Sequence, residues 1–212
     1  WTFDSNTSGN SSYAGQGNHN IAVGDVDGDG RDEIISGMAC IDDNGRGLWN
    51  ARLGHGDAMH FSDLDPNRPG LEIWSCLEGS GGAVLLDART GQQIFRWNNS
   101  KDTGRCGAAD IDPNTPGVEL WAAGSRLFSC TGRELGSAPS QQNFSIWWDG
   151  DECRELLDGT TIYNIDGSGG GLTTSGCASN NGTKSTPCLQ ADLFGDWREE
   201  VIWRTSDNRY LR

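Results

Sequence analysis

The chain has 212 residues, of which 31 are Gly, 9 Trp and 7 Cys, and only 34% are hydrophobic. Its formal net charge of −14 argues against a nucleic-acid partner, because a phosphate backbone calls for a basic face. No apolar run approaches the roughly 20 residues of a membrane-spanning helix, so a membrane partner is not expected either.

In chain order the sequence repeats itself. Acidic segments begin at Asp25 (DVDGDGRDEII), Asp63 (DLDPNRPGLEIW), Asp110 (DIDPNTPGVELW), Asp149 (in WDGDECRELL) and Asp192 (DLFGDWREEVIW), about 42 residues apart on average. Each is a polar turn followed by Glu and a β-branched or aromatic run that reads as a strand. Between copies lie IDDNGRGLW, LLDARTGQQIFRW and LFSCTGREL, where Asn-Gly or Thr-Gly stands between apolar stretches as in a β-hairpin. No segment keeps a 3.6-residue period. The expected fold is therefore all-β, and a repeat of this length is that of a propeller blade. Five copies are visible. The chain opens on WTFDS and ends on DNRYLR, which reads as a strand cut short, so a partial propeller within a longer protein is expected.

The acidic turns supply hard oxygen ligands. Asp25, Asp27, Asp29 and Glu33 stand around Gly28 and Gly30, a pattern suited to Ca²⁺ with its six to eight oxygens. An EF-hand is excluded, since its twelfth position falls on Ser36 instead of a bidentate Glu. Asp and Gly also suit a plain polar turn, but the recurrence of the pattern favours ion binding. The candidate structural calcium ligands are Asp25, Asp27, Asp29, Glu33, Asp63, Asp65, Glu72, Asp110, Asp112, Glu119, Asp149, Asp151, Asp192 and Asp196.

A second set lies at the other strand ends: His19 in GNHN, His55 and Asp57 in LGHGDAMHF, Glu78 in CLEGSGG, Arg105 in KDTGRCGAAD and Lys184 in SNNGTK. In a propeller such equivalent positions converge on one face, so these six are expected to share a cleft. His60, beside Phe61, reads as strand packing. Seven Cys without a CxxC pair argue against a zinc ribbon and for an oxidising, extracellular compartment. Cys177 and Cys188 flank the SNNGTK loop and are the candidate disulfide, with one Cys of the odd number left over.

The segments GNHNIAVGDVDGDGRDEII, LGHGDAMHFSDLDPNRPGLEIW, KDTGRCGAADIDPNTPGVELWA, IWWDGDECRELLDG and SNNGTKSTPCLQADLFGDWREEVIWR closely resemble the family 11 polysaccharide lyases, the rhamnogalacturonan lyases. The resemblance runs over nearly the whole chain. It implies an eight-bladed, calcium-rich propeller, of which this chain would be the central part. It implies β-elimination in the rhamnose–galacturonic acid backbone of pectin, rhamnogalacturonan I, by a secreted enzyme, leaving a 4,5-unsaturated uronate. Carried over by motif, His19, His55, Asp57 and Glu78 would hold an active-site calcium, although His is an unusual ligand for so hard an ion. Arg105 and Lys184 would be the catalytic cations, and Asn181, Gly182 and Thr183 would line a sugar subsite. A monomer is expected. The rival expectation is a non-catalytic, calcium-dependent binding propeller, which leaves GHGD, NNGTK, Arg105 and Lys184 without a role.

Overall fold

A computed structural model describes residues 1–79, 81–165 and 171–212. The chain divides into two compact units, one of Trp1–Ala108 and Pro116–Ala138, the other of Ala109–Thr115 and Pro139–Arg212. Among the described residues the only helical element is a 3-10 turn, Ser11–Tyr13, and no helix is long and apolar enough to cross a membrane.

The first unit carries three four-stranded antiparallel sheets, each formed by strands consecutive in sequence. The first joins β1 (Ala22–Gly24), β2 (Glu33–Ile35), β3 (Ala39–Ile41) and β4 (Gly47–Asn50). The second joins β5 (Gly56–Ser62), β6 (Glu72–Leu77), β7 (Gly82–Asp87) and β8 (Gln93–Trp97). The third joins β9 (Cys106–Ala109), β10 (Glu119–Ala122), β11 (Arg126–Ser129) and β12 (Glu134–Ser137). The hairpins closing the sheets turn at Gly45, Gly91 and Gly132, with φ of 80°, 69° and 82°, a region that suits glycine. A register shift follows in each outer pair. Gly91 and Gly132 have a second reason to lack a side chain. A Cβ at Gly91 would strike the Trp49 indole, and one at Gly132 the Phe95 ring.

Apolar clusters knit these sheets together in sequence order. One joins Ile35, Met38 and Trp49 to Ile73, Val84 and Leu86. The next joins Trp74 and Leu85 to Leu120 and Phe128. Indole N–H groups cross between sheets: Trp49 donates to the Ala88 carbonyl at 2.8 Å and Trp74 to the Trp121 carbonyl at 3.0 Å. Burying a large side chain of this kind stabilises by about 1.5–3 kcal/mol, and its polar atom is satisfied at the same time.

The second unit has one four-stranded sheet, β13 (Phe144–Ile146), β14 (Glu155–Asp158), β15 (Thr161–Tyr163) and β16 (Leu172–Thr173). The rest of it differs. β17 (Cys177–Ala178) pairs with β20 (Arg204–Thr205), and β18 (Leu189–Ala191) pairs with β19 (Glu200–Ile202), giving two separate two-stranded sheets. Ile146, Leu157, Ile162 and Trp203 form its buried cluster.

The all-β expectation holds, and the propeller expectation is overturned. The sheets are separate, all are antiparallel, and none is closed. The fifth repeat does not make a four-stranded sheet at all. The repeat encodes a turn and the strand after it. How modules are arranged depends on side chains from different copies, which a period does not carry.

Candidate functional site

In at least four of the five acidic copies the same backbone-to-Glu bond closes the turn, buried in the first two and exposed in the fifth. A Glu at the head of a strand accepts the N–H of a residue seven or eight positions earlier. Val26 donates to Glu33 at 2.9 Å, Leu64 to Glu72 at 3.0 Å, Trp148 to Glu155 at 2.9 Å and Leu193 to Glu200 at 2.8 Å. This bond corrects the phase of the fourth copy. Trp148 stands at the place of Val26, so Asp149 and Asp151 correspond to Asp27 and Asp29, and Trp147 takes the place of Asp25.

Within the turns the Asp carboxylates accept backbone N–H groups. Asp25 takes those of Gly28 at 2.7 Å and Gly30 at 3.0 Å, and Asp29 takes that of Arg31 at 2.9 Å. Asp192 takes that of Gly195 at 2.6 Å, and Asp196 that of Arg198 at 2.8 Å. Three all-carboxylate groups have ligand oxygens within 4.8 Å of one another: Asp25–Asp27–Asp29, Asp27–Glu33–Asp42 and Asp149–Asp151–Glu155. Glu33 is fully buried, and its Oε1 has no hydrogen-bond partner. Burial pushes the Glu33 carboxyl up, and Asp27, Asp29 and Asp25 push the same way against the Val26 N–H. Glu155 is pushed up in the same manner by burial and by Asp149. Crowded, partly desolvated carboxylates with an orphaned oxygen fit a hard divalent cation.

Asp42 and Glu155 are ligand candidates that the sequence reasoning missed. Glu155 was signalled by its place in DGDECRE, at the spacing of Glu33. Asp42 was signalled only by following the next strand. The second copy is different. Arg68 lies 3.5 Å from Glu72 and 2.6 Å from Asp87, the counterparts of Glu33 and Asp42. A guanidinium stands where the first copy gathers three carboxylates. Asp63 and Asp65 join no three-carboxylate group among the described residues, nor do Asp110, Asp112, Asp192 and Asp196. Asp110 and Asp112 lie in the second unit and Glu119 in the first.

Of the six residues expected to share a cleft, the first unit gathers His19, His55 and Asp57. His19 Nε2 is 3.1 Å from Asp57 Oδ1 and 3.4 Å from His55 Nε2. The two imidazoles meet edge to face with centroids 4.9 Å apart. One nitrogen thus faces both a carboxylate and a second imidazole nitrogen, and a neutral His19 has a single Nε2 valence to offer. A cation among the three atoms satisfies all of them. The set offers two imidazoles and one carboxylate, fewer oxygens than calcium takes. Glu78 lines a cavity of about 390 Å³ with His55 and Asp102, and its N–H donates to the His55 carbonyl at 3.0 Å.

Two asparagines that the sequence reasoning passed over aim His19. Asn18 Nδ2 donates to Ser75 Oγ at 2.8 Å, and Asn20 Nδ2 donates to the Met59 carbonyl at 2.8 Å, so both flanks of His19 are tied to β5 and β6. A Cβ at Gly37 or Gly56 would collide with Asn18 Oδ1. His60 is strand packing, as expected: its Nε2 lies 2.9 Å from the Cys106 carbonyl. Arg105 is half-buried just before β9, and its carbonyl accepts the Ala123 N–H at 2.9 Å.

In the second unit Asn181 organises the polar loop. Its Oδ1 accepts the N–H of Thr183 at 2.8 Å and of Lys184 at 2.9 Å, and the Lys184 carbonyl accepts Asn143 Nδ2 at 2.5 Å. Gly182 and Thr183 are exposed at its tip. The disulfide expectation is corrected: Cys177 and Cys188 are free thiols. Cys177 lies opposite Thr205 in the β17–β20 pair, while the Cys188 thiol lies 3.4 Å from Asn180 Oδ1. The loop is held by amides and backbone bonds instead.

Comparison with known proteins accords with this architecture. The profile of Rhamnogalacturonan lyase family 11, C-terminal domain, matches residues 1–212. The chain is 54% identical over its whole length to 35% of the rhamnogalacturonan endolyase YesW of Bacillus subtilis (strain 168). It is 49% identical over its whole length to 39% of the rhamnogalacturonan exolyase YesX of the same organism. A crystal structure of rhamnogalacturonan lyase YesW superposes on all of this chain and 38% of that one, with a TM-score of 0.94 and 53% identity. The chain thus spans little more than a third of the length of the curated relatives it matches. It belongs to rhamnogalacturonan lyase family 11, whose C-terminal domain its 212 residues match from end to end.

Proposed function

We propose that this chain is part of a lyase that cuts the rhamnogalacturonan backbone by β-elimination at galacturonate. The observation that carries the reading is the whole-length match at 54% and 49% identity to an endolyase and an exolyase, two names that share a polymer and a reaction class. In that reaction a base takes the C5 proton, the C4–O bond breaks, a C4=C5 double bond forms and the departing oxygen takes up a proton. No water is consumed.

Two things are asked of the protein. The uronate carboxylate must be neutralised so that negative charge can develop beside it, and a base must accept the C5 proton. Arg105 is proposed to pair with the carboxylate, since a guanidinium offers two parallel N–H donors. Lys184 is proposed as the proton acceptor, a role that its neutral amine fills. Asn181, Gly182 and Thr183 are proposed to present backbone and side-chain polar groups to a sugar ring. His19, His55, Asp57 and Glu78 are proposed to hold a divalent cation. Such a cation supplies charge stabilisation to the carboxylate when bound. Calcium is proposed at the acidic turns, where its role is structural.

The test follows the conjugated 4,5-unsaturated uronate by its ultraviolet absorbance when the full-length protein meets rhamnogalacturonan. Product should accumulate with the native protein and not with Lys184→Ala. Chain scission without unsaturated ends would mean hydrolysis and would overturn the reading. Binding without scission would leave a carbohydrate-binding module.

A further inference from the structure

The fourth and fifth acidic turns carry aromatic rings at positions where the first turn has Asp or Gly. By the Glu-clamp register, Trp147 stands at the place of Asp25, Phe194 at that of Asp27 and Trp197 at that of Gly30. Trp197 is 54% exposed, and with Trp147, Gly150 and Asp151 it lines a cavity of about 590 Å³ within the second unit. Gly150 has φ 88° and packs under the Trp197 indole, where a Cβ would lie 3.1 Å from the ring.

The cations beside these rings are in two different states. Arg154 lies over the Trp147 ring at 4.8 Å and is paired with Glu199 at 3.4 Å. Glu199 also accepts the Trp147 N–H at 3.0 Å, so the cation on this side of the cleft is already paired with a carboxylate. Arg198 lies 5.1 Å from the Trp148 ring and 5.2 Å from the Trp197 ring. Its guanidinium makes no ion pair among the described residues, although the chain carries 30 Asp and Glu against 16 Lys and Arg. Its guanidinium carbon thus stands near two indole rings rather than beside a carboxylate.

We propose that the Trp147–Trp197 cleft is a second sugar-binding site, separate from the reacting centre, for a saccharide that carries a carboxylate. An indole face is electron-rich and takes the C–H face of a pyranose ring. A guanidinium edge takes a carboxylate through two parallel N–H bonds. Together they describe a uronate residue stacked on Trp197 and gripped by Arg198. The identification of that residue as galacturonate rests on the pectic reading above. The Lys184 loop precedes β18 and this turn follows it, so the two sites lie at opposite ends of one strand. The cleft would keep a long polymer on the enzyme without touching the bond that breaks.

The experiment is native gel electrophoresis of the full-length protein, in calcium-containing buffer, through gels cast with rhamnogalacturonan or with a neutral galactan. Trp197→Ala removes the stacking ring and should weaken retardation by rhamnogalacturonan about tenfold in affinity. Arg198→Ala should do the same for rhamnogalacturonan while leaving retardation by galactan unchanged. Both variants should turn over short oligosaccharides at the native rate. Native retardation of both variants would overturn the site, and equal loss on both polymers in Arg198→Ala would overturn its uronate specificity. Loss of turnover on short oligosaccharides in both variants would place the cleft in the reacting centre and overturn its separateness. Failure of the lyase reading looks different: the native protein would be retarded by rhamnogalacturonan yet yield no unsaturated product.

Discussion

His19 Nε2 lies 3.1 Å from Asp57 Oδ1, and the carboxylate is nearly buried while the imidazole is largely exposed. The pair is held by asparagine amides on either side of His19, so its geometry is set before any ligand arrives. Asp57→Asn keeps the size of the side chain and removes its charge. In the full-length protein it should lose at least the roughly 10–100-fold in metal affinity or turnover that disturbing a partner behind a ligand costs, since Asp57 is itself a proposed ligand. Elemental analysis and kinetics together check this. The calcium-dependent rise in melting temperature should survive in this variant, because the acidic turns are separate from the histidine group. Loss of both responses together would mean that the two sites are one.

Glu33 anchors the first turn twice over. One oxygen accepts the Val26 N–H and the other is an orphan among Asp27 and Asp42. Addition of calcium at about 100 times its dissociation constant should stabilise by about 2.7 kcal/mol for one site. For a domain of this size that is about 2–4 °C in melting temperature per kcal/mol. Glu33→Gln retains an acceptor for Val26 but removes the charge, and should blunt the calcium response in thermal unfolding. An undiminished response would assign calcium to other turns.

Arg68 does in the second copy what a cation is proposed to do in the first. Burial works to push the Asp87 carboxyl up, yet the Arg68 and Thr90 hydrogen bonds outweigh it and hold the group below the usual carboxylate range. A depressed carboxyl stabilises the fold above its unfolded value, and that stabilisation is lost as pH falls through the folded value. Arg68→Met leaves Glu72 fully buried without its partner. The expected cost at neutral pH is about 2 kcal/mol, less than for a fully buried pair because Arg68 is 38% exposed. The gap between native and variant should narrow on acidification, since Asp87 and Glu72 then become neutral. Denaturant titrations at neutral and acid pH measure it, and a constant gap would make the loss one of packing.

The parts of this structure that were legible are local. Three hairpins were signalled by Asn-Gly or Thr-Gly, and four acidic turns by Asp at alternate positions ahead of Glu, the fifth having Phe194 between Asp192 and Asp196. Their physics is contained in about ten consecutive residues. The parts that were not legible are long-range. Asn18 and Asn20 position His19 through acceptors 57 and 39 residues away, and nothing in GNHN points to them. The fourth copy reads two residues out of phase in the sequence because WDGD imitates the start of the motif. Only the Trp148 to Glu155 bond fixes its frame. The ring failed because it is a statement about how modules meet, and spacing along the chain does not contain it. Cys177 and Cys188 illustrate the limit from the other side, since two cysteines flanking a loop imply a bridge only if strand pairing brings them together.

Lys184 offers the sharpest division between charge and proton chemistry. Its backbone is fixed by three bonds: its N–H donates to Asn181 Oδ1 at 2.9 Å, its carbonyl accepts from Asn143, and the next N–H, that of Ser185, donates to the Asn181 carbonyl at 2.8 Å. Lys184→Arg therefore keeps a cation on the same anchored loop. Arginine stays charged at any working pH, so it can attract a uronate but cannot accept its C5 proton. If Lys184 is the base, the arginine and alanine variants should both lose about 10²–10⁴-fold in kcat. If it only holds the carboxylate, arginine should retain most of kcat and alanine should mainly raise KM. Asn181→Ala frees the loop without touching the amine, and should lower kcat by less than Lys184→Ala while leaving its pH profile unchanged. A shifted profile in Asn181→Ala would show that the loop tunes the lysine as well as placing it.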